Sequence, residues 1–250
     1  AISDAIKKSG INISDVNEVI MGVVLPAGQG QAPARQASIG AGIPKAVGAT
    51  TINKMCGSGM KAAMFAHDNI LSGAHKIMVA GGMESMSNTP YLLPDARSGI
   101  RMGHGQLKDH MFIDGLEDAY DKGTLMGVYA ENTAEAYQFT RDAQDEFSIT
   151  SLERALHASE NEYFSDEIVP ITVQSRKAES VIKSDEQPRN ARPEKIPELR
   201  PAFRDNGTVT AANSSSISDG AAALILVRRS EAEKQGLTPI AAIHGHATHA

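Results

Sequence analysis

The chain has 250 residues, 41% of them apolar and none of them tryptophan, which suffices for one large or two modest domains and reads as a soluble α/β protein. A formal net charge of -6 argues against general nucleic-acid binding, which needs a basic face to release counterions. One cysteine excludes an intrachain disulfide framework and fits a reducing, cytoplasmic setting, while no apolar run reaches membrane-spanning length and no charged-then-apolar leader opens the chain.

In chain order, residues 1–8 read as the tail of an amphipathic helix closed by Gly10, without an initiating Met or a cap. Ile11 to Asp15 link it to a near-continuous apolar run, Glu18 to Leu25, which suits a strand covered on both faces. Gly28 to Gln36 lead into a second helix; a dinucleotide loop is a weak reading there, because the third glycine of G-x-G-x-x-G is missing and position 33 is Pro. Val47 to Ile52 form a short extended run, and from Gly59 to Leu71 apolar residues recur at helical spacing until Gly73 stops them.

Cys56 falls at that strand-to-helix junction. The unpaired N–H groups and positive dipole end of a helix N-terminus favour an anion, so a thiolate is stabilised there, as a sulfur nucleophile requires. Gly57 and Gly59 are expected to let the chain turn sharply and an acyl group approach the backbone. The competing reading is a buried, inert thiol.

Lys76 to Ala80 read as a buried strand and Gly81 to Ser85 as its tight exit loop. This alternation predicts a layered sheet of right-handed crossover units. From Met86 to Ser216 the character changes: Pro- and Gly-broken loops, one long helix capped by Thr140 with Asp142 in its first turn and running through Phe147, Leu152 and Leu156, then a charged, Pro-containing segment from Ser175 to Arg200. Residues 86–216 therefore read as an inserted lobe, and 1–85 with 217–250 as the core. Asp219 to Val227 return to core character, Ser230-Glu231-Ala232-Glu233 has a capping-box pattern, and Gly236 closes the short helix that it opens. Residues 241–250 stop without a terminating helix, so both ends read as cut.

Six ordered blocks together resemble the thiolases, most closely the acetyl-CoA acetyltransferases: Met55-Cys56-Gly57-Ser58-Gly59, Gly81 to Ser87, Met126-Gly127 with Ala130-Glu131-Asn132, Arg200 to Phe203, Gly207 to Asn213, and Asp219 to Ala223. The resemblance covers essentially the whole chain. It implies a thiolase-like layered α/β fold, a mixed sheet covered by helices, with an inserted α+β loop domain that holds coenzyme A. It implies an acyl-CoA C-acetyltransferase that cleaves 3-ketoacyl-CoA, or condenses acetyl-CoA, through an acyl-thioester on Cys56, with the Cys56 N–H contributing to the oxyanion hole. Leu116, Met126, Arg189, Ala211, Ala212 and Ser215 fall where family members contact the pantetheine or nucleotide end; Arg189 reads equally as an exposed loop arginine.

The same resemblance implies acyl-CoA and CoA as substrates, no permanently bound cofactor, a cytoplasmic homodimer or homotetramer in fatty acid metabolism with residues 29–36 near the subunit contact, and neither nucleic-acid nor membrane partners. Departures also stand out. The Asn-Glu-Ala-Phe-type, Gly-His-Pro and second-cysteine blocks are not in these residues, nor is the core's opening strand, so the chain reads as an incomplete thiolase, inactive by itself. Leu125 stands where short-chain members often carry histidine, which leaves acyl-chain preference open. Alternatives are a non-catalytic CoA-binding piece or a ketoacyl-synthase-type condensing enzyme; the large insertion and the Gly-Gly-Met-Glu-Ser block disfavour the latter.

The histidines of the H-x-H-x-x-H run, His244, His246 and His249, would share a face if extended, but nothing in the run supplies a carboxylate or thiolate and no metal is assigned. His104 belongs to the lobe, and His67, His75, His110 and His157 read as surface residues.

Overall fold

The computed structural model describes residues 1–174 and 179–249. Of the charged segment expected from Ser175, residues 175–178 lie outside the described residues, as does the last residue of the 241–250 stretch. The chain divides into two compact units, residues 1–116 with 217–250 and residues 117–216. Residues 86–116 thus group with the first unit, whereas the sequence reading begins the insert at Met86.

The first unit is built on a four-stranded sheet in the order β2 (Gly48–Ile52), β1 (Glu18–Gly22), β3 (Ile77–Ser85), β8 (Asp219–Val227). The first three are parallel and β8 runs antiparallel to β3, so the sheet is mixed. Alternation sorts the two faces. Val19, Met21, Ile77 and Val79 pack with Ile2 and Ile6 of α1 (Ile2–Ser9) and Ala34 of α2 (Pro33–Gly40). Ile20, Met78 and Ala80 face the other way, onto Ala62 and Ala66 of α3 (Ser58–Leu71). A strand buried on both faces reads as an unbroken apolar run, which is why these segments show no polar alternation in the sequence.

Several boundaries move. β1 ends at Gly22 rather than Leu25, because the N–H groups of Val24 and Leu25 turn to the two carboxylate oxygens of Glu84, at 2.9 and 3.0 Å. The expected exit loop Gly81 to Ser85 is strand, paired with Asp219 to Ala223. Gly81 permits this: a Cβ there would sit inside the contact radius of the Ala222 carbonyl oxygen on β8. The expected capping box is not formed, since α7 (Arg229–Gln235) starts one residue early and puts Ser230 inside the helix; Gly236 does close it, at φ 67.

The second unit is α+β. It holds α4 (Met126–Ala136), α5 (Arg141–Glu160), the antiparallel pair β6 (Ile171–Gln174) and β7 (Glu179–Ile182), and the short α6 (Glu186–Asn190). Thr140 caps α5 as expected, its Oγ1 accepting from the Ala143 N–H at 3.2 Å. Of the apolar residues on α5, Leu152 and Leu156 are half-buried but Phe147 is 77% exposed, and the one fully buried residue is Asp145. Arg141 anchors the helix through Asp145 at 2.6 Å and the carbonyls of Ile196 and Leu199 at 3.0 and 2.9 Å. A short antiparallel pair in the first unit, β4 (Tyr91–Leu92) with β5 (Lys108–Asp109), precedes a π-helical turn from Phe112 to Leu116.

Candidate active site

Cys56 sits between β2 and α3, two residues before the helix, and is exposed rather than buried among aliphatic side chains. Its loop is closed by neighbours. Asn53 Oδ1 accepts from the Met55 N–H at 2.8 Å, while Ser58 Oγ accepts from the Lys54 N–H at 2.9 Å and donates to the Met55 carbonyl at 2.6 Å. The N–H groups of Gly57 and Ser58 bond back to the carbonyls of Lys54 and Met55. Neither Asn53 nor Ser58 is singled out by the sequence reading, although an Asn two residues before the turning amide is a recognisable side-chain turn signal.

Gly57 lies in the turn, as the sequence reading expects, but does not supply its left-handed residue. Gly57 has φ -88, and the left-handed residue is Met55 at φ 49. The glycine requirement lies across the sheet instead. A Cβ on Gly22 would come within 2.5 Å of the Ser58 carbonyl carbon, and one on Gly82 within 3.3 Å of the Gly59 Cα. The first turn of α3 therefore rests directly on β1 and β3, which fixes the height of Cys56 above the strand ends.

The Gly81 to Ser87 block serves the same scaffold. Besides Glu84, which holds the residue 24–25 turn, Ser87 donates through both its N–H, at 3.0 Å, and its hydroxyl to the Asp219 carboxylate. These bonds hold the Asp219 carboxyl below its ordinary range.

In the second unit the remaining blocks fold onto one another. Glu131 of α4 is buried, 3% exposed, and accepts from the N–H groups of Thr208 and Val209 at 2.9 and 2.8 Å and from the Thr208 hydroxyl at 3.1 Å. Burial pushes its carboxyl up, but the Thr208 and Val209 bonds outweigh that and hold it below the ordinary range. A Cβ on Gly207 would collide with that carboxylate, and one on Gly127 with the Phe203 ring. Arg204 reaches Glu135 at 2.8 Å and Asn132. Asn213 closes the following turn, accepting from the Thr210 N–H at 2.7 Å and donating to the Thr208 carbonyl at 3.0 Å.

Of the expected coenzyme-contact residues, Met126, Arg189, Ala211, Ala212 and Ser215 share this unit, whereas Leu116 ends the first unit with Cys56. Met126 opens α4, and Ala211 and Ala212 follow the turn that Glu131 ties to α4. Arg189 is exposed on α6, and Ser215 is exposed.

Two histidines depart from the surface reading. His110 is buried, with Nδ1 2.6 Å from Asp114 and Nε2 accepting from the Ala27 N–H at 3.4 Å. The side chain of His67 is only 14% exposed. Residues 244–249 are irregular, so the three histidines there share no strand face; His246 pairs with Asp68 at 2.8 Å.

Comparison with known proteins agrees with this architecture. The acetyl-CoA acetyltransferase of Cupriavidus necator is 48% identical over 248 residues, covering 98% of this chain and 63% of its own length. The crystal structure of the Acat5 thiolase from Ascaris suum in complex with coenzyme A superposes with a TM-score of 0.89 at 42% identity, over 96% of this chain and 61% of that one. That of the Bacillus anthracis acetyl-CoA acetyltransferase gives 0.90 at 41%, over 95% and 60%. The chain thus spans about three-fifths of the length of these relatives. The family model of the thiolase N-terminal domain matches residues 1–230, and the chain belongs to the thiolase family.

Proposed function

We propose that the chain supplies the nucleophile and the coenzyme-holding lobe of an acyl-CoA C-acetyltransferase. In the thiolytic direction the Cys56 thiolate attacks the keto carbon of a 3-ketoacyl-CoA. The bond from that carbon to the α-carbon breaks, and its electron pair leaves with the α-carbon, which takes up a proton and departs as acetyl-CoA. The acyl group stays on Sγ as a thioester until a CoA thiolate displaces it. The reverse sequence condenses two acetyl-CoA molecules.

The observation that carries the proposal is an exposed thiol, in a chain of this family, held by a closed loop against the N-terminus of α3. Coenzyme A in the Ascaris relative supports the substrate class. Met126, Arg189, Ala211, Ala212, Ser215 and Leu116 are the proposed coenzyme contacts: small side chains for the thin pantetheine arm, a guanidinium for a phosphate. The same reading makes the protein a cytoplasmic homodimer or homotetramer in fatty acid metabolism, with CoA as substrate and no resident cofactor. No described helix is long and apolar enough to cross a membrane.

A second reading, coenzyme binding without turnover by these 250 residues alone, has its own support. Among the described residues none hydrogen-bonds the Cys56 thiol, and the chain has no second cysteine to move the α-carbon proton. Proton-transfer groups contribute roughly 10²–10⁴-fold each to such reactions.

An acetyl-CoA pulse followed by peptide mass spectrometry tests the nucleophile. The acetyl group is expected on Cys56 and on no residue of Cys56→Ala; thiolysis that survives the substitution would remove Cys56 from the mechanism. Acetoacetyl-CoA cleavage by the 250-residue chain is expected to be at least roughly 10²-fold below an intact thiolase assayed beside it.

A further inference from the structure

The α3 helix carries a second cluster of chemistry-bearing side chains, remote from Cys56. His67 lies nine residues along the helix from Ser58, about 14 Å at 1.5 Å per residue. Beside it are Asp68 and, from the segment after α7, His246. One ligand atom from each of the three lies within 4.8 Å of the others.

The three ligand atoms lie close enough for small shifts to bring them to coordination distances, the His246–Asp68 pair parting slightly to admit the ion. In a tetrahedral zinc site with bonds of 2.0–2.1 Å, neighbouring ligand atoms stand about 3.4 Å apart. Here His246 Nε2 is 2.8 Å and His67 Nδ1 3.5 Å from the same Asp68 oxygen, Oδ1. Among the described residues His67 Nδ1 is also a buried nitrogen that makes no hydrogen bond, only the 3.5 Å approach to Asp68, and such a group usually finds a partner. The two imidazole rings meet edge to face with centroids 5.3 Å apart, and each offers a nitrogen within 4.8 Å of the other and of the carboxylate. Two imidazoles and one carboxylate form a ligand set that suits zinc and leaves a position for water.

We propose that His67, Asp68 and His246 bind a divalent transition-metal ion of the zinc type, which pins the segment after α7 across α3. Two ligands are adjacent on a rigid helix and the third comes from a chain segment 178 residues away, so the ion acts as a cross-link. Thr248 extends the same path, accepting from Lys61 Nζ at 3.3 Å and lying 3.9 Å from the Met64 sulfur.

The test uses the untagged chain, freed of metal with a chelator, titrated with Zn²⁺ by calorimetry in a non-coordinating buffer and with Co²⁺ by visible absorption. One equivalent is expected to bind, with the intense absorption of four-coordinate cobalt and with protection of residues 244–249 from proteolysis. His246→Ala, His67→Gln and the surface change Asp68→Asn should each weaken binding roughly tenfold or more. His244→Ala and His249→Ala should leave it unchanged. Absence of heat and of a cobalt band would show an ion pair only, and overturn the proposal. So would equal losses from His244→Ala and His246→Ala, which would mark a histidine-rich segment binding metal without α3. Circular dichroism of each variant separates a lost ligand from a lost fold, and the outcome is independent of whether Cys56 is acylated.

Discussion

At the scale of single residues, Glu131 shows a buried charge that is structural. It lies in one block of the thiolase resemblance, and its acceptors bind the backbone of another, so it closes α4 onto the turn that leads to Ala211 and Ala212. Its folded carboxyl is held below the ordinary range, so its contribution to stability is complete above the unfolded pKa, near 4–5, and is lost as pH falls through the folded value. Glu131→Gln points an amide at the part-buried Thr208 N–H and the buried Val209 N–H and is expected to cost about 2 kcal/mol at neutral pH. The gap in thermal midpoint between wild type and variant should hold steady above the unfolded pKa and narrow as pH drops from about 5 towards about 3. Thermal melts across that range check it, and a gap equally wide at both ends would show that the ionised form makes no special contribution.

At the scale of elements, the position of Cys56 is set by how closely α3 approaches the sheet. Gly22→Ala is the direct probe, since its Cβ would meet the backbone of Ser58 and Gly59. The helix start must lift, and the Cys56 loop with it. Acetylation of Cys56 is expected to slow by roughly 10²-fold, as for misplacement by about an ångström, with a stability loss of about 1–3 kcal/mol. Unchanged labelling kinetics would mean that the loop adjusts independently of the helix.

That approach also marks what the sequence discloses. Strand-to-helix placement of Cys56 is legible because apolar period and a stopping glycine are local signals. The partner of each glycine is not, because Gly81 needs Ala222 and Gly82 needs Gly59, contacts that exist only after the strands align. For the same reason β3 runs on through a pair of glycines that read as a loop. The attachment of α5 escapes a search for apolar rows because Arg141 and Asp145 make it with polar atoms. Likewise, His110 looks like a loop histidine until Asp114 and Ala27 enclose it.

At the scale of the whole molecule, the outer face of α3 decides how the chain behaves in solution. Met60, Met64, His67 and Leu71 fall on one row at i, i+4, i+7 and i+11, the spacing of a face that packs. The segment after α7 crosses the middle of this row through His246 and Thr248, while Met60 and Leu71 at its ends remain 69% and 71% exposed. The sheet below ends in two edge strands, β2 and β8, each with one side unpaired among the described residues. Apolar ends of a helix face and open strand edges both favour association, and the chain's -6 charge is modest opposition. Sedimentation velocity on the 250-residue chain is therefore expected to show dimers or larger species growing with concentration over the micromolar range. Met60→Glu with Leu71→Glu should shift the distribution towards monomer, because the charges fall on the exposed ends of the row and leave its covered middle intact. A wild-type chain that stays a monodisperse monomer at about 50 μM and melts cooperatively would show that the crossing segment already closes this face.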